Sequence, residues 1–253
     1  MANTKANLLI LTATITPPPD AAQLARTDPN IRLNDYRKAL EFYLSCLADG
    51  KISGLVFAEN SASDISELQN LCREYDVIEQ TEFISFAGLD YPSAYGRGYG
   101  EFKMIDYVME HSQLIQKLPA QASIWKVTGR YIIRNFENVI KTRPSDSDLY
   151  CQCRNIPMYW IDLYVLCWNK RGYDVILKNI YQLIREDNVA VSAEKVFRNI
   201  VDDRSSNIKV VKRFRTIPEL EGIRGVDNQT YQSMKVKLLL RRVVNLLVPW
   251  LWI

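Results

Sequence analysis

The sequence predicts an α/β protein with a mostly parallel sheet flanked by helices. Apolar runs alternate with amphipathic helical segments through the first half of the chain, and turn residues separate the two kinds of segment. The chain has 253 residues, of which 47% are hydrophobic and 24% are charged, so one sizeable core is expected. Sheets of this class bind ligands at the carboxyl ends of their strands.

The first half of the chain is predicted to run strand, helix, strand, helix, strand. Residues 7–15 form an apolar run that ends before the prolines of TPPPD, and apolar residues recur at helical spacing over 33–48. A second apolar run at 52–61 leads into a helix predicted at 63–75, and a third strand is predicted within 77–88. This alternation is typical of parallel strands joined by crossover helices.

The same patterns predict the later elements. They are, in chain order, a long amphipathic helix beginning near residue 100, a strand within 123–135, a helix at 136–141, strands at 149–153 and 159–168, helices at 174–185 and 192–202, and a basic strand at 208–217. This less regular half is expected to form a second wall of the ligand site.

Charge and cysteine usage exclude several function classes. The net charge of +3 is too small for a general nucleic-acid binder. Five scattered cysteines, with no start resembling a signal peptide, predict a reducing cytoplasm. Cys151 and Cys153 lack the CxxC spacing of zinc sites and His111 is the only histidine, so no structural metal is expected.

The first candidate motif is YGRGYGE at residues 95–101. Glycines at the start of a helix leave backbone N–H groups open to an approaching anion, and Arg97 adds a cation. We therefore expect Arg97, Gly98, Gly100 and Glu101 to contact a phosphate or a ribose. The alternative is a flexible loop before an ordinary helix, in which Glu101 simply favours the first turn.

The second candidate motif is KVTGRY at residues 126–131. Along a strand, Lys126, Thr128 and Arg130 share one face, and Gly129 allows a bulge or the close approach of a ligand. Because this row holds two cations and a hydroxyl, it predicts binding of a diphosphate. The alternative is an edge strand whose polar face is solvated.

Polar residues also follow the first two predicted strands. Thr12 and Thr14 end the first, and Glu59 and Asn60 end the second, so all four are expected at the edge where ligands bind. They would recognise the base and ribose of a nucleotide. They could equally cap the helices that follow.

Several of these segments together resemble a family. The runs are LLILTATITP, VFAENSASDI, YGRGYGEFKMIDYVME and IWKVTGRYIIRN, and they resemble bacterial GT-A-like glycosyltransferases of surface-polysaccharide (O-antigen, capsule or lipooligosaccharide) biosynthesis, over roughly residues 7–135. The resemblance implies a GT-A-like fold and transfer of a hexosyl unit from a nucleotide diphosphate sugar, a UDP-sugar by expectation. The implied acceptor is a lipid-linked saccharide or lipopolysaccharide.

The sequence departs from the family pattern at the metal motif. GT-A enzymes commonly hold a divalent cation with an Asp-x-Asp motif at a strand end. The only match, at residues 146–148, lies in the polar stretch RPSDSDLY, where a turn is the expected structure. A divalent metal is possible but not favoured, and Lys126, Arg130 and Arg97 would neutralise the diphosphate instead.

An inverting transfer also needs a base for the acceptor hydroxyl. Glu194 starts a helix late in the chain, where GT-A-like enzymes tend to carry this carboxylate, and Glu101 and Asp106 are in reserve. Glu194 and the diphosphate-facing Arg130 are therefore the predicted catalytic residues. A first-turn glutamate that complements the helix dipole is an equally good interpretation of Glu194.

The segment at 231–253 is predicted to be a basic amphipathic helix, distinct from a catalytic domain at 1–230. Cations on one stripe and tryptophans near the end favour an interfacial helix on anionic lipid, so a cytoplasmic protein at the inner membrane face is expected. Its membrane residues would be Lys235, Lys237, Arg241, Arg242, Trp250 and Trp252. Docking on the protein's own core or on a second copy is the alternative for the tail. A non-catalytic nucleotide- or lipid-binding module is the alternative function.

Overall fold

The computed structural model describes residues 6–21, 24–187, 192–231, 244 and 247–248. Nearly all of the predicted tail, including Lys235, Lys237, Arg241, Arg242, Trp250 and Trp252, lies outside these residues, so the tail helix and the domain boundary at 230 stay predictions. No helix among the described residues is long and apolar enough to cross a bilayer.

The described residues form one large sheet and a two-stranded ribbon. The strands are β1 (Asn7–Ala13), β2 (Gly54–Glu59), β3 (Thr81–Ser85), β4 (Ser123–Thr128), β5 (Ile132–Ile133), β6 (Leu149–Arg154), β7 (Trp160–Trp168), β8 (Val210–Val211) and β9 (Leu220–Glu221). The sheet order is β3-β2-β1-β4-β7-β6-β8, and β5 pairs with β9 in the ribbon. Within the large sheet, only β7 runs antiparallel to its neighbours, β4 and β6, and the strands of the ribbon are antiparallel as well. The predicted α/β class with a mostly parallel sheet is thus confirmed.

Helices cover both faces of the sheet. They are α1 (Pro29–Ala48), α2 (Ser66–Glu74), α3 (Gly96–His111), α4 (Gln113–Gln116), α5 (Phe136–Lys141), α6 (Lys170–Gly172) and α7 (Ala193–Arg204). Leu9 and Leu11 of β1 pack in one core, whereas Leu8 and Ile10 pack in the other. Alternate residues of a strand point to opposite faces, so the apolar run of β1 is buried on both sides.

Helix α1 begins four residues earlier than its apolar period predicts. The Asp28 carboxylate accepts hydrogen bonds from the N–H groups of Asn30 and Ile31 at 2.8 and 3.2 Å, and Pro29 fits the first turn because that turn needs no N–H donor there. The cap therefore starts the helix one turn before the first residue of its apolar period.

Two predicted elements differ from the structure. The helix predicted at 174–185 is replaced by a π-helical turn at Tyr173–Leu177 and a 3-10 turn at Ile180–Leu183. Asn179 lies between them with a φ of 59°, a left-handed conformation that interrupts a helix. The basic strand predicted at 208–217 is reduced to the two residues of β8.

The strand order also fixes where a ligand can bind. From β1 the chain moves outward to β2 and β3, then returns through α3 to β4 on the other side of β1. The order therefore reverses between β1 and β4, and a crevice forms outside the carboxyl ends of such a pair.

Candidate functional site

A cleft of about 1140 Å³ opens at the carboxyl ends of β1 and β4. It is lined on the first-half side by Thr12, Thr14, Arg32, Tyr36, Asn60, Arg97, Gly98, Gly100, Glu101, Thr128 and Arg130. The other side includes Arg134, Arg154, Trp160, Asp162, Glu186, Glu194, Arg224 and Gly225. Most predicted site residues are thus brought together, although the first and the last, Thr12 and Glu194, lie 182 positions apart in the sequence.

The floor of the cleft is a hydrogen-bonded group of four residues, Thr12, Glu101, Lys126 and Thr128, which we call the floor network. Glu101 Oε1 accepts hydrogen bonds from Thr12 Oγ1 at 3.0 Å and from Thr128 Oγ1 at 3.2 Å. The Lys126 ammonium forms an ion pair with the same oxygen. The network therefore ties α3 to both strands at the switch point.

Lys126 does not reach the cleft. Its side chain is 1% exposed, and Nζ also donates to Thr128 Oγ1 at 3.1 Å and to the Leu163 carbonyl at 2.7 Å. Burial lowers the pKa of Lys126, and the Glu101 carboxylate opposes that effect. Since an ammonium has three N–H donors and all three have partners here, Lys126 has none left for the predicted diphosphate.

Arg130 is placed differently, although it lies only four residues further along the chain. Its Nη2 donates to the Tyr131 hydroxyl at 3.1 Å. Its Nε and Nη1 are buried and have no hydrogen-bond partner among the described residues. Gly225 packs against the guanidinium so closely that a Cβ atom there would lie 2.5 Å from Nη1. We call Arg130, Tyr131 and Gly225 the Arg130 corner.

The glycines of the two motifs serve packing. A Cβ atom at Gly98 would collide with that of Ala193 at the start of α7, and one at Gly100 with the Tyr91 hydroxyl. A Cβ atom at Gly129 would lie 2.8 Å from the Thr12 carbonyl oxygen, whose hydrogen bond from Gly129 N is also 2.8 Å long. The close approach predicted at Gly129 is therefore made by β1, and Gly129 does not line the cleft.

The start of α3 already faces a carboxyl group. Gly96 has a φ of 84°, a conformation that favours glycine, and the Glu186 carboxyl lies where its side chain would be. Partial enclosure and the nearby Glu194 raise the pKa of Glu186, whereas Arg97 opposes the rise. Arg97 is exposed and lines the cleft, so its charge remains available there.

The polar residues after β1 and β2 divide into two groups. Thr14 and Asn60 line the cleft, and Thr14 Oγ1 donates to Asn60 Oδ1 at 2.7 Å. Glu59 is 0% exposed, and its carboxylate accepts the N–H groups of Ile15 and Ser63 at 3.0 and 3.1 Å. Glu59 therefore joins the loops that follow β1 and β2. Contrary to the prediction, it does not line the cleft.

Several cleft residues carry no sequence signal. Arg32 donates from Nε to the Thr14 carbonyl at 2.8 Å, and Arg154 is held by Asp162 through bonds of 3.0 and 2.6 Å. Trp160 lies under Arg154, whose guanidinium carbon is 5.6 Å from the ring centroid. Arginines in a helix or at a strand end look like surface residues in the sequence, so only their spatial neighbours reveal them.

The Asp-x-Asp sequence does not fit a metal site. Asp148 accepts Asn169 Nδ2 at 2.8 Å and Lys209 N at 2.9 Å, and neither Asp146 nor Asp148 lines the cleft. Within the described ranges, no group of three or more His, Cys, Asp or Glu side chains could hold a metal ion. We therefore assign no step of a reaction to a metal.

Comparisons with known proteins find similarity in fold alone. No protein-family model and no curated protein sequence matches the chain. Among solved structures, the galactosyltransferase LgtC with donor and acceptor sugar analogs is 8% identical with a TM-score of 0.47, over 81% of this chain and 73% of that one. A glycosyltransferase involved in glycosylation of the major capsid of PBCV-1 is 10% identical with a TM-score of 0.44, over 82% and 80%.

A synthase is also similar in fold. The 4-diphosphocytidyl-2C-methyl-D-erythritol synthase is 6% identical with a TM-score of 0.38, over 93% of this chain and 98% of that one. A fold hosts many functions, so these likenesses leave function to the residues of the cleft.

Proposed function

We propose that this protein is a glycosyltransferase that binds a nucleotide diphosphate sugar, by expectation a UDP-sugar, in the cleft. It would transfer the hexosyl unit, with inversion, to a lipid-linked or lipopolysaccharide acceptor. The observation that carries the proposal is the Arg130 guanidinium, which lies beside the switch point with two buried donors unused. The acceptor class comes from the sequence resemblance.

The unused donors of Arg130 favour an anionic ligand. A buried donor without a partner costs about 1–3 kcal/mol, and somewhat more when the group is charged. An arginine stays charged in proteins, and its fork of N–H groups matches two oxygens of a phosphate. A diphosphate bound at the Arg130 corner would offset the cost, with Arg97 as a second cation at the cleft surface.

The position of Glu194 supports its proposed role as the base. It lines the cleft in the first turn of α7, is half-buried, and accepts no hydrogen bond among the described residues. In the proposed step, the acceptor hydroxyl oxygen bonds to the anomeric carbon while the bond to the diphosphate oxygen breaks. The hydroxyl proton passes to Glu194, and the nucleoside diphosphate leaves with the electron pair, stabilised by Arg130.

Calorimetric titration tests donor binding directly. We expect UDP and at least one of UDP-glucose, UDP-galactose and UDP-N-acetylglucosamine to bind the wild type, and Arg130→Met to weaken that binding by about 10- to 100-fold. Arg37→Met is the matched control, because Arg37 pairs with Glu41 and Glu67 on the surface and does not line the cleft. Absence of binding to every uridine nucleotide would overturn the proposal.

Turnover separates an enzyme from a binding module. Release of UDP in the presence of acceptor lipid extracts should fall by about 100-fold or more in Glu194→Gln, whereas donor affinity should stay near that of the wild type. Tight donor binding without any release of UDP would favour the non-catalytic module. Near-normal turnover of Glu194→Gln would remove Glu194 from its assigned role.

We also propose that residues 231–253 attach the protein to the inner face of the cytoplasmic membrane. The support is the pattern of four cations without an acidic residue, followed by two tryptophans. A chain ending at Ser233 should no longer sediment with vesicles that contain phosphatidylserine. Unchanged sedimentation would contradict membrane attachment through this segment.

A further inference from the structure

Glu101 is held by the protein through one carboxylate oxygen, Oε1, and the residue lines the cleft. Oε1 receives both threonine hydroxyls and the ion pair of the floor network. Oε2 accepts no hydrogen bond from the part of the chain that the structure describes, and the side chain is 22% exposed and lines the cleft. Glu101 therefore offers a fixed, unused acceptor at the bottom of the site.

Lys126 explains why this carboxylate is fixed. An ammonium buried without a counter-ion is strongly unfavourable, so the pair with Glu101 must persist in the folded protein. Nζ is itself held by the Leu163 carbonyl of β7 at 2.7 Å and by Thr128 Oγ1 of β4 at 3.1 Å. Two strands, β4 and β7, thus set the position of Glu101 through one lysine.

The chemistry of Oε2 selects its ligand. A carboxylate oxygen repels a phosphate oxygen and accepts a hydrogen bond from a hydroxyl group. Arg130 and Glu101 both line the cleft, so an anion-binding group and a hydroxyl acceptor belong to the same site. A ligand that carries a diphosphate beside a sugar matches both groups.

We propose that Glu101 Oε2 accepts a hydrogen bond from a sugar hydroxyl of the bound nucleotide, and that Lys126 is the positioning residue that holds Glu101 for this contact. The inference rests on the proposed function and adds the group that reads the sugar. The hydroxyl belongs either to the ribose or to the hexosyl unit, which share the same chemistry.

The ribose arm of the test uses UDP, 2′-deoxy-UDP and 3′-deoxy-UDP, and the hexosyl arm uses UDP-glucose and UDP-2-deoxyglucose. We expect the wild type to prefer the complete sugar by about 10-fold or more in one arm, because a buried acceptor is left unpaired by the deoxy compound. In Glu101→Gln, that preference should fall to about 1. Inorganic pyrophosphate, which has no sugar hydroxyl, should bind Glu101→Gln at least as tightly as the wild type, because the variant lacks a carboxylate that repels phosphate oxygens.

The double variant Glu101→Gln with Lys126→Met guards against misfolding, because neither charge is then left without a partner. It should fold, bind pyrophosphate as the wild type does, and show no preference for the complete sugar. Lys126→Met alone should lose most of the preference while retaining pyrophosphate affinity, a split that a purely structural lysine would not produce. Lys103→Met is the matched control, because Lys103 lies on the same helix as Glu101, forms an ion pair with Asp90 and does not line the cleft.

Two negative results are distinguishable. Wild-type protein that binds the nucleotides but discriminates in neither arm, or a preference that survives in Glu101→Gln, would overturn only this inference. Wild-type protein that binds no nucleotide would overturn the proposed function and this inference with it.

Discussion

The floor network and the Arg130 corner are adjacent in the cleft, and both bury a cation. The Lys126 ammonium has a partner for each of its N–H groups, whereas the Arg130 guanidinium has two buried nitrogen atoms without one among the described residues. Burial of a charge therefore does not by itself mark a binding site. The donors that the fold leaves unused distinguish a group that binds a ligand from one that holds the structure together.

If Lys126 of the floor network stabilises the fold, its substitution should lower stability more than substitution of Gly129 or Arg130. Lys126→Met leaves Glu101 without its counter-ion, and we expect the free energy of unfolding to fall by about 3 kcal/mol. Urea denaturation followed by fluorescence measures the change. The double variant with Glu101→Gln should recover most of it, and a loss of under about 1 kcal/mol in the single variant would contradict the comparison.

Gly129→Ala tests the packing that joins the network to β1. The new Cβ atom would lie 2.8 Å from the Thr12 carbonyl oxygen, a backbone atom that cannot move aside easily. We expect a loss of about 2 kcal/mol in urea denaturation. Gly54→Ala is the control, because its Cβ atom would come no nearer than 3.4 Å to the Leu8 side chain. Equal effects of the two substitutions would show that the approach of β4 to β1 is not constrained.

Arg130→Met should scarcely alter stability. The substitution removes one hydrogen bond to Tyr131 and also removes two unsatisfied donors, so the free energy of unfolding should change by less than about 1 kcal/mol. The same urea experiment compares it with Lys126→Met. A loss as large as that of Lys126→Met would place Arg130 with the structural cations.

The smallest effect concerns the far side of the cleft. Arg97→Met should raise the pKa of Glu186 further, and Glu194→Gln should lower it, as carbon-detected NMR titration of the carboxyl groups can measure. Because the folded-state pKa of Glu186 lies above its ordinary value, its contribution to stability is present at low pH and is lost as the pH rises through that pKa. Arg97→Met should increase the amount of stability that is lost as the pH rises. An unchanged pKa of Glu186 in both variants would show that neither Arg97 nor Glu194 acts on it.

Much of the fold followed from local pattern. The strands β1 and β2 are continuous apolar runs, and α5 occupies the six residues that its spacing predicts. The helix at 174–185 was predicted wrongly because its apolar spacing does not register the left-handed Asn179. The ends of β1 and β2 were expected at the ligand edge, because sheets of this class bind ligands at the carboxyl ends of their strands.

The site was predicted only in part, for a physical reason. The sequence KVTGRY shows that a glycine, a hydroxyl and cations lie close together in the chain. It does not show that Lys126 of β4 pairs with Glu101 of α3, which is distant in the sequence. Whether Glu59 faces a ligand or the N–H groups of Ile15 and Ser63 likewise depends on loops that meet only in space. Side-chain type is local information, whereas a hydrogen-bond partner is not.

The sequence by itself determined the α/β class, the order of most elements, and the edge of the sheet at which polar residues gather, because periodicity and strand direction are properties of the local chain. The tertiary structure alone decided which cation is satisfied and which is not. That outcome depends on distances of about 3 Å between atoms on different strands, which no spacing along the chain specifies.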